Sequence, residues 1–462
     1  MGGKGIERSI LLFVPWGMAT LFQSDALLSY WIAYLGSFVI FALTLTGWVR
    51  AIPDDRPFGE QLMRPLFILH IIFAGYMCCT SVFYLLDTLG YESFVKLPST
   101  ILDKAKLASV AQCQRYYCLA HASFISGVLM FMKYPKKKKY FIETTAIADL
   151  LMKVALIAFP VASLFMRLPG LSQFYFQFSS LSFIAGTLAL AFAIPLKKAV
   201  NTLICAFLYA FNFYLALISG FKEPIIISIM VLGIFLYPNY KKFVLVVFLP
   251  LLFVCFLILP AYVNSFRATA WSGDTDADDA AQQSLDVALE GGNDNWDFLV
   301  YRLSEIDMFI TFTQSTPSAV PYYGTQLLKQ SAIVVVPRVF WPGKPITEAL
   351  VMERVYNAGV INRLSNVSAK PAYVVDAYLS WGAPGIFIAL FLYGAIAQII
   401  SIKAEELFGG YILGTALMFS GLFQIFWRGL SFEFIINSVF WSYVSMLAIF
   451  QVLRSRGILK KV

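Results

Sequence analysis

Apolar runs of about twenty residues, separated by short polar breaks, recur along most of the chain. A run of that length without amphipathic period predicts a helix that crosses a membrane. About twelve such spans are expected, near 9–23, 26–49, 65–86, 110–132, 143–166, 171–194, 199–218, 223–238, 243–262, 373–400, 410–427 and 432–453. The first is short, the fourth contains Arg115, and the eighth is interrupted near Pro238. One long polar interval divides the pattern, so the chain reads as an N-terminal bundle (1–262), a large loop (263–372) and a C-terminal bundle (373–462). The expected fold class is an all-α polytopic membrane protein, with short amphipathic helices in the large loop.

The loop itself has parts of different character. Residues 272–297 carry Asp274, Asp276, Asp278, Asp279, Asp286, Glu290, Asp294 and Asp297 among glycine and alanine. The spacing matches no EF-hand pattern and reads as a solvated, mobile linker. From Trp296 to Phe312, Phe298, Tyr301, Ile306 and Phe309 fall near one apolar face at helical spacing, with Arg302 and Glu305 three apart; a membrane-surface helix is expected. A second short helix is expected over 325–336, and 346–370 reads as a folded external loop. Between them lies SAIVVVPRVFWPGKP, Ser331 to Pro345, where prolines restrict the backbone around Arg338, Trp341 and Lys344. The chain re-enters the membrane through AYVVDAYLSWGAPGIFIALFLYG, with Asp376 about one helical turn below the surface.

Composition confirms the class. Hydrophobic residues are 59% and charged residues only 13%, about half the charge of a soluble domain. The net charge of +8 does not indicate a nucleic-acid partner, because the basic residues cluster in short loops. Lys136 to Lys139, Lys197 with Lys198, Lys241 with Lys242, and the tail of Arg454, Arg456, Lys460 and Lys461 would all face the cytoplasm under the positive-inside tendency. Both termini then come out cytoplasmic and 263–372 external. No cleavable signal peptide is evident. The six cysteines lie in or beside apolar segments and read as small packing residues. Two histidines, His70 and His121, are too few for a multi-histidine metal site and read as helix-packing groups. No nucleotide-binding glycine loop and no cofactor motif is present.

The external layer is rich in cations, on the side where they should be sparse: Lys222, Arg267, Arg302, Arg338, Lys344, Arg354, Arg363, Lys370 and Arg428. Arginine offers a planar fork and lysine a mobile point charge, and together they suit a lipid-borne pyrophosphate. The alternative is a surface loop whose cations touch ordinary headgroups. Asp376 reads either as a general base on a sugar hydroxyl or as a buried pair with Lys370 or Arg428. Trp341 and Tyr378 read either as sugar-stacking rings or as interface anchors.

The runs VYRLSEIDMF, TPSAVPYYG, VVVPRVFWPGKP and VVDAYLSWGAPGIFIALFLYG, in that order, resemble the bacterial oligosaccharide repeat-unit polymerases, the Wzy-type O-antigen polymerase family. SGFKEP resembles that family's serine-glycine-basic turn, with Lys222 where arginine is usual, and Asp376 stands where glutamate is usual. The resemblance covers about 219–394. It implies an inner-membrane glycosyltransferase of the GT-C kind, metal- and nucleotide-independent. Such an enzyme transfers a growing glycan from undecaprenyl pyrophosphate onto another lipid-linked repeat unit at the external face. It further implies Arg302, Arg338 and Lys344 on the diphosphate, Lys222 and Arg428 as supporting cations, and Asp376 as base. A chain-length regulator and a flippase are the implied pathway partners. A glycan ligase using the same donor, and a flippase or transporter without bond chemistry, are the rival readings.

Overall fold

The computed structural model describes residues 4–98, 101–134, 139–220, 222–270, 276–290, 294–365, 368–409, 414 and 430–462. Among them the fold is helical, apart from two two-residue ladders, Tyr91–Glu92 with Val95–Lys96 and Tyr140–Phe141 with Lys460–Lys461. Eight helices of the described residues are long and apolar enough to cross a membrane. In hydrocarbon every backbone N–H and C=O must be satisfied within the chain, which is why such runs become helices. The protein is therefore a helical membrane protein.

In chain order the helices are α1 (Val14–Leu21), α2 (Ala26–Leu45), α3 (Ile68–Thr88), α4 (Lys104–Phe131), α5 (Thr144–Arg167), α6 (Tyr175–Ala193), α7 (Ala199–Leu217), α8 (Lys222–Phe243) and α9 (Leu249–Ala270). The large loop contributes α10 (Ala277–Glu290), α11 (Ile306–Ser315), α12 (Gln326–Val335) and α13 (Thr347–Asn357). The C-terminal part supplies α14 (Tyr373–Leu407) and α15 (Phe432–Ser455). Starts are capped where the sequence allows: the Asp25 carboxylate accepts from Leu28 N at 3.0 Å, and that of Asp103 from Ala105 N and Lys106 N at 2.9 and 3.0 Å.

The centre of the bundle is the contact between α4 and α14. A Cβ on Gly127 would lie 2.1 Å from Phe391 O, and one on Gly394 would lie 2.1 Å from Phe124 O. The two glycines thus let the backbones touch reciprocally, as small residues do where helices pack in lipid. Helix α4 buries polar side chains as well: Gln114 and His121, two turns apart, both meet α3, and Ser123 donates to Leu119 O of its own helix. His70 of α3 and His121 meet at 2.6 Å between their Nε2 atoms, with the Phe41 ring stacked 4.1 Å from His70. All six cysteines are free thiols.

Several expectations need correction. Helix α8 turns at Tyr240, whose φ and ψ are −131° and 44°. A Cβ on Gly233 would lie 3.0 Å from Phe248, whereas fifteen residues of straight helix span about 22 Å. The apolar run therefore doubles back, as the interruption near Pro238 suggests. The first expected span starts at Lys4–Ile10 and tightens into a single 3-10 turn at Leu11–Phe13 before α1, with helical dihedrals at both junctions. The expected span 410–427 lies outside the described residues, save for the isolated Gly414.

The acidic stretch is not wholly a linker. Within it α10 lays Ala280, Ser284 and Ala288, all buried and four apart, toward α9; small side chains at that spacing allow close packing despite the acids on the other faces. The expected single helix over 296–312 is two pieces, a π-helical turn at Phe298–Leu303 and then α11, separated at Ser304 and Glu305. Trp296, Phe298, Ile306 and Phe309 are buried as the period requires, while Tyr301 is exposed.

Candidate functional site

The expected tenth span is a broken helix. Within α14, Trp381 (φ −150°, ψ 27°) and Gly382 (φ 65°, ψ −143°) leave helical geometry. The carbonyls released by the break find donors in the preceding loop: Tyr323 N donates to Leu379 O at 2.9 Å and Gly324 N to Ser380 O at 3.0 Å. Glycine is required at the break, since a Cβ on Gly382 would stand 2.9 Å from the Tyr322 hydroxyl, and at Gly385, where it would meet Ala377 O at 2.1 Å. Non-helical backbone at membrane depth persists only where protein covers it or a cavity meets it. Here both hold.

A cavity of about 540 Å³ runs beside the break, between α14 and α15. Its wall passes from Leu328, Tyr373 and Trp381 near the start of α14 through Ile388 and Leu392 to Ile399 and Ile400. From residue 380 to 400 a helix rises about 30 Å, the thickness of the hydrocarbon core. The wall is almost wholly apolar and matches a lipid tail.

Above the cavity stands a buried ion cluster. Arg354 of α13 donates from Nη2 to Asp376 Oδ2 at 2.9 Å, and from Nη1 and Nη2 to the two Glu433 oxygens at 2.8 Å each. Asp376 Oδ2 also accepts from Phe432 N at 2.8 Å. Both acids are fully buried and Arg354 is 2% exposed. One cation facing two carboxylates leaves a negative excess, but each acid lies in the first turn of its helix, where the backbone supplies roughly half a positive charge. Burial alone would lower the Arg354 pKa; the two carboxylates outweigh it and raise it. Asp376 is therefore a paired group, with Arg354 as its described partner; of the two partners expected, Lys370 instead bridges to Glu348 at 3.3 Å and Arg428 lies outside the described residues. Asp376 Oδ1 has no hydrogen-bond partner among the described residues.

Arg338, Trp341 and Lys344 share the turn after α12. Lys344 is 5% exposed, its Nζ donating to Val334 O at 2.9 Å and Val336 O at 2.7 Å. It closes the end of α12, and burial, with Arg338 nearby, pulls its pKa down. Arg338 is partly exposed and donates to Pro345 O at 3.1 Å. Val339, Phe340 and Trp341 beside it are 49%, 78% and 42% exposed, apolar surface that suits a membrane interface. The turn is seated on Gly170, whose Cβ would lie 3.0 Å from Val339 N, and Trp441 of α15 donates to Val335 O at 2.9 Å. Tyr378 is no exposed platform: it is 3% exposed, donates to Thr316 O at 2.9 Å, and packs on Tyr116, Phe309 and Tyr322.

The remaining expected cations are not gathered at this turn by any described contact. Arg302 lies on the π-helical turn that packs against α3, and Lys222 opens α8; the side chains of both lie outside the description. Arg428 lies outside the described residues. Sequence reasoning missed Arg354 as Asp376's partner and Glu433 as the second acid that Arg354 holds; the usable signal was Glu433, an acid beside one end of an apolar run.

A helical membrane bundle with a broken span, a buried ion cluster and an apolar groove is the class these features define. The chain belongs to the family described as a domain of unknown function, DUF8712, whose model matches residues 14–461. No curated protein matches the chain, and no solved structure matches it.

Proposed function

We propose that this protein is a glycosyltransferase of the GT-C kind that polymerises undecaprenyl-pyrophosphate-linked oligosaccharide units at the external face of a bacterial inner membrane. In this reading about twelve helices cross the bilayer and both termini are cytoplasmic. The carrying observation is the apolar groove between α14 and α15, whose outer end at Leu328 belongs to the helix that leads into the Arg338 turn. An isoprenoid tail lies in the groove, and its diphosphate rises to the headgroup layer, where Arg338 meets it. The bond between the anomeric carbon and the diphosphate oxygen breaks, and undecaprenyl diphosphate leaves with the electron pair. A bond forms to the acceptor hydroxyl oxygen, and the hydroxyl proton passes to the departing diphosphate. Arg338 stabilises the leaving charge; Lys344 braces the turn. Asp376, through Arg354, fixes α13 against α14 and α15 and is a positioning residue. A chain-length regulator and a flippase of the same pathway are the proposed partners.

The test is reconstitution: purified protein with synthetic undecaprenyl-linked repeat units yields a ladder of products. Arg338→Ala, still inserted, abolishes the ladder, and in cells it leaves single repeat units capped on their acceptor. Long chains stranded on the carrier lipid would instead identify a ligase, and single units trapped facing the cytoplasm a flippase.

A further inference from the structure

Arg115 is an arginine set within the helix bundle whose role the preceding site does not absorb. It lies on α4 at the level of Ser29, one turn below the outer end of α2. Its Nη1 donates to Ser29 Oγ at 2.8 Å. The Ser29 hydroxyl spends its own proton on Ala19 O at 2.7 Å, so it presents a lone pair to Arg115 and orients the guanidinium. No carboxylate lies within ion-pair distance of Arg115 among the described residues.

The contrast with the other embedded cations is informative. Arg56 and Arg64 meet Glu405, and Arg354 meets two acids. Arg50 donates to the last carbonyls of α4, Leu129 O and Met130 O. Each is answered by an anion or by helix-end carbonyls, whereas Arg115 is answered by one hydroxyl. A charge at that depth is costly unless something anionic meets it, and a guanidinium has five N–H donors. None of the Arg115 nitrogens is both enclosed and unpaired, so its remaining donors are reachable from outside the protein. Beside it begins an aromatic wall: Tyr116 packs 5.1 Å from Tyr378, which packs 5.9 Å from the 40% exposed Tyr322. Tyr322 in turn covers the Gly382 break.

We infer that Arg115, oriented by Ser29, is a second anion site that takes the phosphate head of a lipid in the outer leaflet, with Tyr116 and Tyr322 flanking whatever the phosphate carries. It lies across the α14 break from the apolar groove. Under the polymerase reading, on which this assignment of substrate rests, two lipid-linked molecules must be held at once, and Arg115 holds the one that the Arg338 turn does not. The phosphate of an ordinary anionic phospholipid has the same chemistry, and the experiment separates the two sources.

The full-length protein in neutral-lipid nanodiscs is titrated with undecaprenyl diphosphate, with phosphatidylglycerol and with inorganic phosphate, and bound lipid is counted by native mass spectrometry. Arg115→Gln loses roughly tenfold in affinity for one equivalent of undecaprenyl diphosphate, the size of one charged hydrogen-bonding group. Ser29→Ala, which keeps the charge but frees it, loses roughly threefold, and Arg115→Lys retains part of the binding. Inorganic phosphate alone does not compete. Equal dependence of phosphatidylglycerol binding on Arg115 supports the phosphate site and assigns its occupant to bulk lipid, whatever the ladder assay shows. Unchanged lipid binding in both Arg115→Gln and Ser29→Ala overturns the inference, and leaves the Arg338 groove standing on its own test.

Discussion

At the scale of single residues, the Arg354 cluster and the His70–His121 contact set the terms. Removing one member of a buried ion cluster strands the others, so Arg354→Ala should cost about 3–5 kcal/mol, read as a large drop in melting temperature in detergent. Asp376→Asn keeps the shape and an acceptor for Phe432 N, and should cost less than half of that. A double-mutant cycle of His70→Leu and His121→Leu should give a coupling of about 1 kcal/mol; additivity would show that the contact is idle. In the loop between α2 and α3, Asp55 is held below the usual carboxylate range, first by its hydrogen bonds from Arg64, at 2.6 and 2.8 Å, which outweigh its desolvation. A depressed pKa means the stabilisation is complete above the ordinary value near about 3.9 and is lost as pH falls through the lower folded value. Melting temperature should therefore be level down to about pH 4 and fall below it, and Asp55→Asn should flatten that acid limb.

Elements were more legible than their irregularities. Spans declared themselves because an apolar run in lipid has one solution, the helix. The break in α14 did not, although Ser380-Trp-Gly-Ala-Pro384 carries a glycine and a proline, because TM helices tolerate both. Only the loop that pairs with Leu379 O and Ser380 O shows which way the backbone goes, and that loop is more than fifty residues earlier. Asp376 was legible from its depth, but its partner comes from a loop helix without apolar period, and nothing local distinguished Arg354 from Lys370. Lys344 looked like a free cation because sequence shows charge and not the carbonyls a turn will leave beside it. Gly382→Ala tests the break directly: a methyl there meets the Tyr322 hydroxyl at a backbone geometry with positive φ, and should cost about 1–3 kcal/mol by thermal unfolding, with weaker activity.

For the whole molecule, the alternation of spans makes an outward and an inward face, and each is open to chemical labelling. The native thiols lie on α3, α4, α7 and α9, where reagents in water reach poorly. In a chain with those six replaced by serine or alanine, Ser318→Cys, in the loop proposed to be external, should react with an impermeant maleimide on intact spheroplasts. Ser455→Cys at the end of α15 should react only after permeabilisation. Labelling of both from outside would contradict the proposed orientation. The Tyr140–Lys461 ladder already requires the tail and the α4–α5 connection to share a face.

The mutual fit of Gly127 and Gly394 has a consequence for biosynthesis. Helix α4 emerges from the translocon long before α14 is translated, yet its Gly127 notch is shaped for that late arrival. Until the ribosome reaches α14, in about the last fifth of the chain, the nascent bundle leaves that notch open to lipid. Chains released before α14 are thus the ones a membrane quality-control protease should find first.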